Sequence, residues 1–287
     1  MLIKEELDRH VGVTGPFRDE SRRLTGLLVD WAGTVVDFGS RAPIEAFLQA
    51  FEESSVPITE AEARAPMGMA KWEHIQAVLE MPRVAHAWRG IYGRAATRLD
   101  VDMIYERFLP LQAEAASQHG DVIPGAIAAL KDARRRGMKV GSTSGYPRAV
   151  MEGVMAQAEK KGLTVDACAC AGDTPMGRPM PFMLYKILLE LELGAVWQCA
   201  VVDDTPVGIE AARNAGTWAI GVAVSGNAVG LSPDAWSILN EADRNHLQRT
   251  ASESLKTAGA HFVIDTIARL PAVLARLDSR LFRGENP

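Results

Sequence analysis

Short apolar runs recur along the chain, with helical patterns between them. The β-prone runs are Leu27 to Asp30, Met138 to Ser142, Val165 to Cys170, Cys199 to Asp203, Thr217 to Val224 and His261 to Asp265. Gly125 to Arg136 has a helical period and closes at Gly137, while Pro147 to Lys160 opens on a proline suited to a first helical turn. Alternation of this kind predicts an α/β fold with a doubly wound, parallel, Rossmann-like sheet covered by helices on both faces. From about Ala42 to Gly120 there are several amphipathic helical patterns and no convincing strand, although this stretch lies between the first two strands. It is too long for an ordinary crossover. The expected organisation is therefore an N-terminal extension over 1–23, an α/β core from 24–41 and 121–287, and an inserted all-helical cap over 42–120 that closes over the core. Ser225 to Gly230 reads as a loop before a long polar helical region, and no internal repeat or low-complexity tract interrupts the pattern.

Composition narrows the class. With 287 residues, 47% of them hydrophobic and 23% charged, the chain can fill one large core or a core plus a smaller domain. A net charge of -5 gives no electrostatic footprint for nucleic acid. The basic cluster Arg134-Arg135-Arg136 ends a helix, where it complements the helix dipole. Cys168, Cys170 and Cys199 lie in strand-like runs, and neither their odd number nor their spacing suggests disulfides or zinc. Met1 to Gly26 is charged throughout, without the apolar core of a secretion signal, and no stretch approaches the roughly 18 apolar residues of a membrane span. The expectation is a cytoplasmic protein with no membrane or nucleic-acid partner.

The candidate chemistry lies at strand ends. Asp30 terminates the run Leu27-Leu28-Val29 and is followed by Trp31-Ala32-Gly33-Thr34, so a carboxylate is delivered to the rim where open α/β sheets bind ligands. That placement suits a nucleophile. Phosphate-ester hydrolases with an aspartyl nucleophile usually carry a second Asp two residues on to protonate a departing oxygen. Here that position is Ala32, which argues against an alkoxide leaving group. Val201-Val202-Asp203-Asp204-Thr205 brings two more carboxylates to the same edge, where mutual repulsion favours a hard cation such as Mg²⁺. Capping of the following helix is the alternative use of either Asp. After the second strand, Gly141 to Arg148 places Ser144 and Gly145 before a helix, an arrangement that serves either anion binding or ordinary capping. Arg178, in Gly177-Arg178-Pro179 after the third strand, can fork onto phosphate oxygens or stand as an isolated surface arginine.

The cap adds an amine. Ala65 to His74 places a proline and a glycine before a helix that carries Lys71, with His74 three residues later on the same face. A solvated lysine is the plain alternative for Lys71, and a satisfied structural histidine for His74. Trp72, Met67 and Met69 put large apolar surface beside the amine. A desolvated lysine loses pKa and becomes nucleophilic towards carbonyl groups.

Together, Asp30-Trp-Ala-Gly-Thr, Ser144, Arg178 and Asp203-Asp204 resemble the four-motif signature of the haloacid dehalogenase superfamily, with a cap inserted after the first motif. Within that superfamily, residues 30–40, 63–71 and 177–181 closely resemble the phosphonoacetaldehyde hydrolase family, and the match runs from about Leu24 to Leu277. Ala32 together with the cap lysine is more specific than any superfamily motif, because ordinary phosphatases of the fold lack both. The resemblance implies a Mg²⁺-dependent homodimer that splits the carbon-phosphorus bond of a small phosphonate, phosphonoacetaldehyde, into acetaldehyde and phosphate. It implies an Asp30 nucleophile, a Schiff base on Lys71, a metal held by Asp30, the Ala32 carbonyl and Asp204, and a phosphoryl clamp at Ser144, Gly145 and Arg178. Met67, His74 and Tyr146 are expected near the imine. Two positions depart from the wider pattern: Gly208 stands where many relatives have an acid, with Asp203 as a candidate outer-shell substitute, and Arg178 stands where many have lysine. A haloacid dehalogenase, which needs neither metal nor cap lysine, is the second enzymatic reading; a catalytically silent phosphate-binding relative is the third.

Overall fold

The computed structural model describes residues 22–287, so most of the expected 1–23 extension lies outside the described residues. Six strands form one parallel sheet: β1 Gly26–Val29, β2 Lys139–Pro147, β3 Ala167–Ala171, β4 Cys199–Asp203, β5 Trp218–Val222 and β6 Phe262–Ile264. Their order is β3-β2-β1-β4-β5-β6. The chain turns from one half of the sheet to the other between β1 and β4, which opens a crevice beyond their carboxyl ends. Asp30 and Asp203-Asp204 sit at that crevice.

All six predicted runs form strands, β4 with the predicted bounds and the other five with ends shifted by one to five residues. The largest difference is at β2, which continues past the expected Ser142 to Pro147, because pairing with β3 persists through Ser144 and resumes, out of register, at Pro147. The next helix begins at Arg148 and not at Pro147. Ser144 and Gly145 do precede a helix, as the sequence suggested, but they lie on an irregular strand end and not in a helix-entry loop.

Successive strand residues point to opposite faces, and both faces are covered. Leu27, Val29, Val140, Val202 and Ile220 pack with α6 (Ala126–Arg135), α7 (Arg148–Lys160) and α12 (Leu270–Phe282). Leu28, Ala169, Val201 and Ala219 pack with α8 (Phe182–Glu190), α9 (Pro206–Ala215) and α11 (Glu241–Thr257). The short α10 (Pro233–Ile238) precedes α11.

Between β1 and α6 stand five helices: α1 Ala42–Glu53, α2 Glu60–Arg64, α3 Lys71–Glu80, α4 Pro82–Tyr92 and α5 Arg98–Gln118. They surround a separate apolar cluster that includes Phe47, Phe51, Ile75, Val78, Trp88, Ile104 and Phe108. Asp37 starts this unit by accepting hydrogen bonds from the backbone N–H groups of Arg41 and Ala42, both at 3.0 Å. Arg64 ties it to the sheet domain: its guanidinium donates to the carbonyls of Gly39, Asn227 and Gly230 and to Asn227 Oδ1 at 3.0 to 3.2 Å. No helix among the described residues is long and apolar enough to cross a membrane.

Candidate active site

The turn after β1 creates the site. The N–H groups of Thr34, Val35 and Val36 all reach back to the Trp31 carbonyl, and Gly33 takes a positive φ of 81°. A side chain at Gly33 would collide with the Asp204 carboxylate, so the glycine lets the β1 and β4 ends meet. Asp30, Asp203 and Asp204 are buried, and their ligand oxygens lie within 4.8 Å of one another.

Arg178 is the cation that faces them. Its Nη2 donates to Asp30 Oδ1 at 2.8 Å, to the Thr143 carbonyl at 3.0 Å and to Thr143 Oγ1 at 2.7 Å, while Nη1 lies 3.1 Å from Asp203 Oδ2. At 7% exposure it is no isolated surface arginine. One guanidinium among three carboxylates leaves negative charge in excess. Burial pushes the Asp30 carboxyl up to about 7, against the pull of Arg178 and with the repulsion of Asp203. Burial also pushes Asp204 well up, reinforced by the charges of Asp30 and Asp203.

Asp203 and Asp204 divide their tasks. Asp203 Oδ1 accepts from the Thr205 N–H at 2.9 Å and from its hydroxyl at 2.7 Å. The cap of α9 is Thr205, whose Oγ1 accepts from the Gly208 N–H at 3.2 Å, so neither Asp performs that role. A side chain at Gly208 would run into the Asp203 carboxylate, which gives a steric reason for glycine at this place. Asp204 Oδ2 accepts from the Asn227 N–H at 2.7 Å, but Oδ1 has no partner. An unpaired, buried carboxylate oxygen beside two more carboxylates suits a hard divalent cation.

Lys71 begins α3 and is only 3% exposed, so it is not a solvated helical lysine. Its Nζ lies 3.6 Å from Met67 Sδ, 5.3 Å from the centre of the Phe47 ring and 5.2 Å from that of Tyr146. Burial lowers its pKa to about 7, although the Asp30 charge pulls the other way. At neutral pH about half of such amines are uncharged, against roughly one in a thousand or fewer for an ordinary lysine.

The cavity between the two units is lined by Asp30, Ala32, Met67, Lys71, Arg178 and Asp204, with Ser144, Gly145 and Tyr146 completing one wall. Ser144 Oγ accepts from the Tyr146 N–H at 3.1 Å. The loop before α3 rests directly on this wall: a Cβ at Gly145 would lie 2.8 Å from the Met69 carbonyl, and one at Gly68 would strike Thr205. His74 is placed differently from the expectation that it shares a ligand with Lys71. It stacks on Phe47 at 3.9 Å and its Nε2 lies 2.9 Å from the Ala63 carbonyl, so it stands behind the cavity. Burial, then the neighbouring Lys71 charge, keeps it neutral by driving its pKa well down. Sequence reasoning missed Ser40, Pro43, Gly68 and Thr205, which also line the cavity. Thr205, adjacent to Asp204, and Ser40, at the end of the first matched stretch, were within reach of the motif reading; Pro43 carried no signal.

Residues 24–216, which include every residue of this cavity, match the haloacid dehalogenase-like hydrolase profile. The phosphonoacetaldehyde hydrolase of Bordetella pertussis is 45% identical over 265 residues, which cover 92% of this chain and 96% of that protein. That of Paraburkholderia phytofirmans is 44% identical over 266 residues, covering 93% of this chain and all of the relative. The chain belongs to the phosphonoacetaldehyde hydrolase family. A phosphonoacetaldehyde hydrolase-like protein from Oleispira antarctica, solved by crystallography, superposes with a TM-score of 0.90 at 40% identity, covering 92% of this chain and 96% of its own. For a phosphonoacetaldehyde hydrolase family member, the pairing of a buried amine with an Asp30 turn that lacks a second Asp is the feature to explain.

Proposed function

We propose that this chain hydrolyses phosphonoacetaldehyde to acetaldehyde and inorganic phosphate, with Lys71 and Asp30 as its two nucleophiles. The observation that carries this reading is a desolvated lysine in the same cavity as a strand-end Asp whose acid partner is replaced by Ala32. Direct cleavage of the carbon-phosphorus bond would expel a carbanion. An acid at oxygen cannot help with that, whereas an imine can accept the electron pair.

On this reading the helical unit of α1 to α5 is a cap, and Lys71 Nζ adds to the aldehyde carbon with loss of water to give the imine. Asp30 then attacks phosphorus, the carbon-phosphorus electron pair moves towards the iminium nitrogen, and an enamine remains on Lys71. Protonation at carbon and hydrolysis release acetaldehyde and the amine, while water hydrolyses the aspartyl phosphate. Arg178, Ser144 and the Gly145 backbone hold the phosphoryl oxygens, and Arg178 orients the attacking carboxylate through its 2.8 Å contact. Met67 and the Phe47 and Tyr146 rings exclude water from the amine and favour its neutral form. Asp30, the Ala32 carbonyl and Asp204 would hold Mg²⁺, with Asp203 behind them. When bound, the cation supplies positive charge that offsets the phosphoryl oxygens and the three carboxylates.

The test is release of acetaldehyde and phosphate from phosphonoacetaldehyde, with and without a chelator, alongside 2-haloacids and phosphate monoesters. Equal, Mg²⁺-dependent release of both products is expected. Chelator-insensitive halide release would support the dehalogenase reading instead. Lys71→Arg keeps the charge but cannot form the imine, so borohydride should no longer inactivate it in the presence of substrate; near-normal turnover would refute the Schiff base. The same reading expects a cytoplasmic homodimer, which sedimentation of the full chain would test for stoichiometry.

A further inference from the structure

The catalytic cavity has a volume of about 20 Å³, room for one water. Phosphonoacetaldehyde is far larger, so it can enter only with the helical unit lifted from the sheet domain. Lys71 is the one residue that this cavity shares with a second, roomier cleft of about 240 Å³, at the joint between α3, α5 and the loop from β3 to α8. The partition between the two spaces is thin. Gly177 lines the cleft and Arg178 the catalytic cavity, and Ala70 stands next to Lys71 on the opposite side of the joint. A Cβ at Gly177 would lie 3.4 Å from that of Ala70, so small residues meet where the helical unit rests on the loop.

The cleft runs from the buried Lys71 and Met183 out to the exposed Glu73, Gly172 and Pro175. Its walls are largely apolar, with Trp72, Tyr105, Pro175 and Met183 among them. Among the described residues that line it, Lys71 is the only cation and Glu73 the only anion. A phosphonate or phosphate dianion would have to shed its hydration here without a pairing arginine and pass the Glu73 carboxylate. Acetaldehyde carries no charge and loses little hydration. The catalytic cavity has the opposite character, with Arg178 and a carboxylate cluster suited to a cation.

We propose that this cleft is a passage for small neutral aldehydes, through which acetaldehyde leaves Lys71 while phosphate is still held beside Asp30 and Arg178 and the helical unit stays down. The inference rests on the Lys71 imine reading given above and deepens it by separating the paths of the two products. In the releasing step the iminium carbon gains the oxygen of a water, the carbon-nitrogen bond breaks and the amine keeps the proton. The aldehyde so formed is already at the inner end of the cleft.

The experiment treats full-length, Mg²⁺-loaded enzyme with acetaldehyde and borohydride and follows reductive ethylation of Lys71 by mass spectrometry of its peptide. Inorganic phosphate is then added until turnover of phosphonoacetaldehyde falls about tenfold, the sign that the catalytic cavity is filled. Ethylation should stay within about twofold of its rate without phosphate, because the cleft remains open. Loss of ethylation in step with turnover would show that aldehyde and phosphonate share one entrance, and would overturn the inference. A second arm blocks the cleft at Thr174, a half-buried lining residue whose hydroxyl donates to the Met176 carbonyl at 3.0 Å. Thr174→Trp should slow ethylation about tenfold, and methylation by the smaller formaldehyde much less. Equal slowing with both aldehydes would mark distortion around Lys71, and no slowing a cleft that carries nothing; either result overturns the inference. The phosphate arm needs no substitution, so it decides the matter even where tryptophan prevents folding. All of these results leave the imine reading intact, whereas a wild-type enzyme that acetaldehyde and borohydride never ethylate at Lys71 would remove that reading, and this inference with it.

Discussion

Replacing Lys71 with methionine should abolish turnover and at the same time stabilise the fold, in a way that depends on pH. The thioether has nearly the length of the lysine stem, so the cavity wall is kept and only the amine is lost. In the folded protein the amine titrates at about 7, down from an ordinary 10.5, because burial disfavours its charge. The unfolded chain therefore binds a proton more readily than the folded one, and wild-type stability rises with pH between about 7 and 10.5. At pH 8 the linkage cost is about 3 kcal/mol; it approaches about 5 kcal/mol below pH 7 and vanishes above about pH 10.5. Contacts of the charged amine with the Phe47 and Tyr146 rings are already contained in its folded pKa, so they subtract nothing further. The gain at pH 8 is about 3 kcal/mol, or roughly 6 to 12 °C in Tm. Differential scanning calorimetry of both proteins at pH 6.5, 8 and 9.5, with Mg²⁺ held constant, measures it. A Lys71→Met protein less stable than wild type at every pH, or a gap that does not shrink towards pH 9.5, would refute the reasoning.

Because the neutral amine is the nucleophile, kcat/KM should climb as pH rises through about 7 and then level, whereas an ordinary lysine would still be climbing at pH 9; a pH-rate profile distinguishes them. Gly145→Ala places a Cβ 2.8 Å from the Met69 carbonyl and should lift the loop before α3, raising KM about tenfold or more with little change in Tm. Arg64→Ala removes four hydrogen bonds between α2 and the loops at Gly39, Asn227 and Gly230, and should cost about 2 to 3 kcal/mol in denaturant unfolding while raising KM.

Much of the architecture was legible along the chain because its causes are local. A β-prone run ending in Asp, followed at once by a glycine turn, places that carboxylate at a sheet rim however the rest of the chain folds. The run at Cys199 to Asp203 became β4 without any change of bounds, since Thr205 and Pro206 start the next helix by capping and by a fixed φ. At β2 the same reasoning stopped too soon. Ser144 to Pro147 reads as helix-entry chemistry, but the neighbouring strand β3 holds it extended, and pairing between distant segments leaves no local mark.

The sequence by itself determined the residue types and their order: a strand-end nucleophile without its acid, a paired carboxylate motif, an arginine after the third strand and a lysine opening a helix between the first two strands. Those follow from periodicity, turn chemistry and motif spacing, which act over a few residues. Only the tertiary structure decided the environment of each group. It took Lys71 from a candidate surface lysine to a buried amine with a depressed pKa, and turned His74 away from the cavity to stack on Phe47. It filled the space beside Gly208 with the Asp203 carboxylate. Burial and electrostatic coupling are properties of side chains brought together from distant segments, and no local pattern encodes them.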